Sequence, residues 1–543
     1  ATLRTEFKTR LKMPTLPTDL EAQEVVNFLT NIFDNPMGLS PAPQNPPRPA
    51  TYPVLGDTYH SQPVVARPPN TSLFYYDYGF VGAGELGAHD YQLYMEKHAK
   101  RRRVALVGAN DGMLHAFDAG FWDRDDGGTY NDQHDLGTGT ELFAYVPEAI
   151  SDKLWTMTYG TEQQYMVDGH IAVSDVFISP DGGVSPKEWR TVALASMRRG
   201  GRGIVALDLT EPDPTSGSPD YVPIETPMAG CADGTAAGCG SEFPRLMWEF
   251  SDKTDLDANC PAPLTGDDCA PYWDLGWTWS KPAIARVPVY NSSEPNAPDD
   301  VFIAFFGGGW DREENDWTGT HIYGVDIATG AIVYKHSIGV AVPGSFAAHD
   351  SDLDGFHDRI YFGDSDGSVW RIEFPAPNDP AATGVGAANL ERIFDFRAGF
   401  AARQQFFTRP IIVPAKFDGA NFIWALAMGA GDRANLQLED GGINAFYFML
   451  DSGTYATPRT AGDLVGIDYT SLTGDFQCAD TALDPANGLY GWYMTMRPNE
   501  KTTFEATVIN GHVLFPTFEP GLDLLATDPP DLCGGAGGGG GGG

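Results

Sequence analysis

No run of about 18 apolar residues, the length that crosses a bilayer as a helix, occurs in this 543-residue chain, so no transmembrane helix is expected. Basic residues are scarce. Thirty-five Lys and Arg stand against 73 Asp and Glu, a net charge of −38. Nucleic acid and anionic membrane surfaces are held by clustered Lys and Arg, so both are excluded as partners and divalent cations become the partner to look for. Cysteine is rarer still: Cys231, Cys239, Cys260, Cys269, Cys478 and Cys533 show no CxxC or Cys/His spacing for zinc. Two pairs flank short loops and two residues stand alone near the end, which suits disulfides in an oxidising compartment; unpaired loop thiols are the alternative. Catalytic signatures are missing too, with no GxSxG, HExxH, P-loop or GxGxxG in a strand-to-helix setting. Gly307-Gly308-Gly309 has no Lys or helix signal after it and reads as a turn, not a phosphate cradle. No enzyme is nominated. Ala1-Thr2-Leu3-Arg4 lacks the basic, apolar and small-residue succession of a signal peptide, so the expectation is a removed signal or a piece of a longer chain.

Turn chemistry is what the chain has in quantity. Its 63 Gly and 41 Pro are too many for a helical bundle, while 42% hydrophobic and 12% aromatic residues supply a large core. Many short strands joined by turns fit both counts. Residues 1–50 differ from the rest: Thr18-Asp19-Leu20-Glu21 is a capping box, and Val25, Val26, Phe28, Leu29, Ile32 and Phe33 continue an amphipathic helix. A Pro-rich linker follows over 41–50. Further helices are expected over 88–101 and after Pro147. Residues 51–533 read as the strand-rich body, and 534–543 as a Gly-rich tail, whether linker, engineered end or unassigned residues.

One pattern recurs in the body: a β run, a Gly turn, and a second β run closing on an acid. VALVGANDGMLHAFD, ending at Asp118, and IYFGDSDGSVWRIE, ending at Glu373, are full copies; closing halves end at Asp208, Asp326 and Asp451. Asn-Asp-Gly and Asp-Ser-Asp-Gly make hairpin turns because Gly supplies the positive φ. Repeated sheets around an axis are the propeller solution to exposed edges. The expected fold is therefore all-β, an irregular seven-bladed β-propeller with long loop insertions and a few short helices. His60, His115, His170 and His321 lie beside strand signatures and read as packed or hydrogen-bonded groups.

The strongest chemical signal is the loop 350–358, DSDLDGFHD. Acids at loop positions 1, 3 and 5, Gly at 6 and an acid at 9 reproduce the front half of a calcium-binding EF-hand loop. The ligands are then Asp350, Asp352, Asp354, the carbonyl of Phe356, and Asp358 directly or through water. Tyr361 stands where the bidentate Glu would be. Oxygen donors favour Ca²⁺ over zinc, and a flexible loop disfavours octahedral magnesium. Asp123, Asp125 and Asp126, then Asp252, Asp255 and Asp257, and Asp364 with Asp366, read as solvated turns.

The ordered motifs resemble the C-terminal β-propeller domain of the PilC/PilY family of type IV pilus tip-associated adhesin and biogenesis proteins. They are Leu55-Gly56-Asp57 with His60 to Val65, Val107 to Asp118, Glu141 to Pro147, Tyr165 to Gly169, Trp189-Arg190-Thr191-Val192, Gly200 to Asp208, and Leu275 to Pro282. The calcium loop, Gly363 to Arg371, Thr408-Arg409-Pro410, Gly491-Trp492-Tyr493 and Cys533 complete the series. Two departures stand out: poly-Gly replaces the family's closing strand, and no Arg-Gly-Asp occurs. The resemblance implies a protein secreted through the periplasm to the pilus tip at the cell surface. Its implied partners are minor pilins of the tip complex and host or abiotic surfaces, with calcium biasing pilus extension over retraction. Two rivals share the propeller. A calcium- and quinone-dependent dehydrogenase draws its calcium ligands from several blades, often beside a Cys-Cys pair that is missing here. A glycan-binding or glycan-hydrolysing propeller is the other.

Overall fold

The computed structural model describes residues 22 and 25, 55–70, 91–120, 134, 136–159, 164–212, 243–251, 275–293, 298–310, 318–400, 403–418, 421–453, 455–468, 483–510 and 512–521. All six cysteines, the poly-Gly tail and the acidic stretches near 125 and 255 lie outside them. These residues divide into two compact units, Ala1–Asp395 with Tyr455–Arg459, and Phe396–Thr454 with Thr460–Gly543.

The first unit is built of four-stranded antiparallel sheets, each laid down in chain order. The first sheet holds β1 (Val64–Ala66), β2 (Val104–Gly108), β3 (Leu114–Asp118) and β4 (Glu141–Tyr145). The second holds β5 (Ile171–Ile178), β6 (Glu188–Ser196), β7 (Gly203–Asp208) and β8 (Arg245–Ser251). In the third come β9 (Ala283–Val289), β10 (Asp299–Gly307), β11 (His321–Asp326) and β12 (Ile332–Ser337). The fourth has β13 (Ala347–His349), β14 (Arg359–Gly363), β15 (Ser368–Glu373) and β16 (Asn389–Asp395). First strands neighbour one another: β1 touches β5, β5 touches β9, and β9 touches β13. That is the blade arrangement of a propeller, in which the innermost strands line the axis. Apolar cores fill the spaces between successive blades. Leu106, Leu114, Ile171 and Leu207 join the first two, Trp189, Phe250, Phe306 and Tyr323 the second and third, and Phe305, Ile360 and Phe374 the third and fourth.

Every closing acid of the sequence pattern ends the third strand of its sheet. Asp208 accepts the Thr210 amide at 2.9 Å and hydroxyl at 2.6 Å, and Asp326 accepts the Thr329 amide at 2.9 Å. Asp118 does the same for Gly120 and Thr138, with burial opposing and these hydrogen bonds then lowering its pKa. A short acid thus folds the chain over into the fourth strand, which is why the pattern recurs. Glu373, one carbon longer, pairs instead with Arg359 and Arg371. Gly307 ends β10 where a Cβ would lie 2.1 Å from the Val342 carbonyl, so the connection into the fourth blade needs glycine there.

Helices are few. α1 (Tyr91–His98) falls inside the expected 88–101, and a 3₁₀ turn, Glu148–Lys153, follows Pro147 and runs into α2 (Leu154–Tyr159). Ala22 and Val25 are helical and buried in the core of the first two blades.

The second unit has β17 (Ile411–Asp418), β18 (Asn421–Gly429), β19 (Ile443–Asp451), β20 (Val465–Asp468), β21 (Leu483–Asp484) and β22 (Leu489–Pro498). Their order is β17-β18-β19-β22-β20, with β20 parallel to β22 and β21 also on β22. Two-stranded ribbons follow from β23 (Lys501–Thr502), β24 (Thr507–Ile509), β25 (His512–Leu514) and β26 (Thr517–Phe518). Among the described residues the large sheets number five. The architecture is that of an all-β propeller with irregular insertions, as the repeated hairpins imply.

Candidate metal centre

The acidic loop 350–358 joins β13 to β14, closing a hairpin whose last pair is His349 with Arg359. Its shape comes from its own carboxylates. Asp350 Oδ1 accepts the Leu353 amide at 2.7 Å and the Asp354 amide at 3.2 Å, and its Oδ2 accepts the Gly355 amide at 2.9 Å. Asp354 Oδ1 accepts the Phe356 amide at 2.9 Å, and Asp358 Oδ2 accepts both the Ser351 amide and hydroxyl. Gly355 sits at φ +93°, the left-handed turn that its position in the motif requires. Leu353 shares that region at φ +64°, a costly conformation for a side chain of its size, held by its bond to Asp350.

Folding this way gathers one oxygen each from Asp350, Asp352 and Asp358 within 4.8 Å of one another. Asp354 is not part of that group, although it is close enough to feel its charge. Burial, then the charge of Asp358, raises the Asp350 carboxyl to about 6 and pushes Asp352 up. Burial and then Asp352, Asp358 and Asp350 raise Asp354 to about 7. A cation among such crowded carboxylates favours their ionised form and relieves their repulsion. The donors are all hard oxygens, so the set fits a divalent cation of the calcium type and not a thiolate- or imidazole-seeking metal.

The loop is anchored to the third blade by groups that its motif does not announce. His357 is buried; its amide donates to the Arg286 carbonyl at 2.9 Å and its Nδ1 accepts the Arg286 amide at 3.0 Å. Burial lowers its pKa to about 4, so the ring stays neutral and able to accept. The Arg286 guanidinium lies 4.3 Å from the centre of the buried Phe356 ring and donates from Nε to Asp300 at 2.7 Å. Lys187 of the second blade binds the same Asp300 at 3.1 Å. Phe356, expected as a carbonyl ligand, thus also has a side-chain role as the loop's hydrophobic foot. Removing it by Phe356→Ala should cost about 3–5 kcal/mol and weaken cation binding through a loosened loop. Chemical denaturation with and without calcium measures both, and an unchanged midpoint in the metal-free protein would overturn the anchoring role.

Elsewhere the acids organise turns. Asp364 accepts the amides of Asp366 and Ser368 and the Trp370 indole at 2.8 Å. His115 is fully buried, with Nδ1 2.6 Å from Glu141 and Nε2 3.0 Å from Asp111. His60 lies 2.6 Å from the buried Asp168. His60 and Asp168 are 108 residues apart and Glu141 lies on the strand after His115, so neither pairing had a local signal, whereas Asp111 stands only four residues before His115.

Residues 63–224 match the family model described as the PilY1 beta-propeller domain. The type IV pilus biogenesis factor PilY1 homolog of Xylella fastidiosa is 26% identical over 455 residues, covering 82% of this chain and 28% of that protein. The type IV pilus biogenesis factor PilY1 of Pseudomonas aeruginosa (strain UCBPP-PA14) is 28% identical over 332 residues, covering 59% of this chain and 21% of that protein. The chain therefore spans between a fifth and a third of the length of these relatives. The crystal structure of the Pseudomonas aeruginosa PilY1 C-terminal domain superposes with a TM-score of 0.50 at 24% identity, over 79% of each chain, a likeness of fold.

Proposed function

We propose that this chain, a β-propeller whose residues 63–224 match the PilY1 beta-propeller model, acts in type IV pilus biogenesis as a calcium-binding assembly and adhesion module at the pilus tip. The observation that carries the pilus reading is the match to the Xylella fastidiosa relative across 82% of this chain. In this reading the protein is secreted to the cell surface, meets minor pilins and external surfaces, and performs no catalysis. The calcium part is supported by the three carboxylates within 4.8 Å of one another.

Asp350, Asp352 and Asp358 are the core ligands, with Asp354 and the Phe356 carbonyl completing the shell. Calcium, when bound, supplies the positive charge that lets all of these carboxylates stay ionised together. The protein's own part is to hold the loop in register: His357 and Phe356 fix its second half on Arg286, and Asp350 fixes its first half through three amides. A loop ordered in this way stabilises whichever tip conformation has it formed, and so biases extension over retraction.

The test is made in the source bacterium. Deleting the gene should remove type IV pili from the sheared surface fraction, and wild-type protein should appear in that fraction only when the major pilin is present. Asp358→Ala should restore pili without restoring their dependence on external calcium. Undiminished pili in the deletion strain would overturn the pilus reading, and a calcium response in the variant equal to wild type would overturn the regulatory one.

A further inference from the structure

On the first unit, five side chains from four separated stretches form one continuous row. Tyr59 and His60 meet with ring centroids 4.1 Å apart, and His60 stacks on Tyr165 at 6.0 Å. The Arg199 guanidinium then lies 5.2 Å from the Tyr165 ring and 5.4 Å from the Trp277 ring. Tyr59 is exposed and the other four are half-buried. These residues come from the segment before β1, the segment before β5, the β6–β7 turn and the segment before β9, so three blades contribute.

What lies beneath makes the row rigid. Asp168, buried, accepts the His60 amide at 3.0 Å and sits 3.7 Å from the buried Arg198, whose guanidinium stacks 3.9 Å over Trp279. The β6–β7 turn is pinned on several sides. The Arg198 amide donates to the Thr278 carbonyl at 3.0 Å, the Thr278 amide to Gly201 at 3.2 Å, and Lys153 Nζ to the Tyr165 and Arg199 carbonyls. Arg198 is held there at φ +51°.

Asp168 contacts His60 and Arg198, and burial raises its carboxyl to about 8 although the nearby Arg199 charge favours its ionised form; the Arg199 guanidinium itself makes neither a hydrogen bond nor a close ion pair among the described residues. A guanidinium clamped between two rings has already lost most of its rotamer freedom and still offers its planar fork of donors. We propose that this row docks an acidic peptide segment of a protein partner, with Arg199 taking a carboxylate and Tyr59, Tyr165 and Trp277 covering the apolar flank. Charge complementarity selects that occupant. Carboxylate is the group a guanidinium fork reads in bidentate fashion, and Tyr, Trp and Arg are the residues that dominate protein interfaces. A polyphosphate or an anionic membrane needs many clustered cations, whereas this row offers the single guanidinium that one carboxylate requires. The proposal does not depend on the calcium loop and holds or fails separately from it.

The probe is a short fluorescein-labelled peptide alternating glutamate and tyrosine, with its glutamine counterpart as control, titrated by anisotropy against the full chain at low salt. Wild type should bind the glutamate peptide at least roughly tenfold more tightly than the glutamine one, and Arg199→Gln should weaken glutamate binding by about the same factor. Tyr59→Ala, on an exposed side chain that cannot unfold the blade, should weaken it several-fold. Equal affinity for the two peptides, unchanged binding in both variants, no binding by wild type, or complete displacement by millimolar inorganic phosphate would each overturn the proposal.

Discussion

Calcium added to metal-free protein should raise its thermal midpoint by several degrees, and Asp358→Ala should abolish the rise. A ligand that binds only the folded state stabilises it by about 2.7 kcal/mol at a hundred times its dissociation constant, which is a large increment for a marginally stable fold. Asp358 and Asp350 should be the costliest ligands to lose, because both belong to the three-carboxylate group and both also hold backbone amides of the loop. Asp354→Ala should cost less affinity than Asp358→Ala, since Asp354 lies outside that group. Calorimetric titration ranks the variants directly. Equal affinity across wild type, Asp350→Ala and Asp358→Ala would remove the loop as the calcium site.

Replacing His115 with Gln should destabilise the first unit by about 3–5 kcal/mol, the cost of leaving a buried charge without its partner. Burial by itself pulls the His115 pKa down, but its hydrogen bonds to Asp111 and Glu141 and then their charges outweigh it and hold the group at about 9. The folded value thus stands above the unfolded value near 6.5. Between those values the folded state holds more protons than the unfolded one. The stabilisation is therefore complete below about pH 6.5 and is lost as pH rises through about 9. Wild-type denaturation midpoints should fall across that window, and His115→Gln should flatten the slope. A variant with the wild-type slope would show that another group is responsible. The effect reaches beyond one strand, because Asp111 also accepts the Gly56 and Met113 amides and so ties the segment before β1 to the β2–β3 turn.

Much of the fold was legible because its signals are local. The Gly-containing hairpin turn and the Asp that folds the third strand into the fourth act within a few residues, whereas the glycine ending β10 answers to Val342, 35 residues on. Asp118, Asp208 and Asp326 end third strands because they make that fold, while Glu373 ends its strand in ion pairs with Arg359 and Arg371. The carboxylates of loop 350–358 were legible on the same terms, since nine consecutive residues carry both the charge and the turn that converges it. The grouping among them was less so: Asp354 shares the motif's spacing, yet the turn uses its carboxylate to hold the Phe356 amide.

The sequence by itself determined the hairpins, the closing acids and the acidic loop, because backbone turns and short-range carboxylate spacing are settled by neighbouring residues. Only the tertiary structure decided that His357 and Phe356 seat the loop on Arg286, and that His60 rests on Asp168, 108 residues away. It also decided that Tyr165, Arg199 and Trp277 share one surface. Those pairings depend on how successive blades pack, and insertions of unequal length between the blades leave no fixed spacing by which such partners are found along the chain.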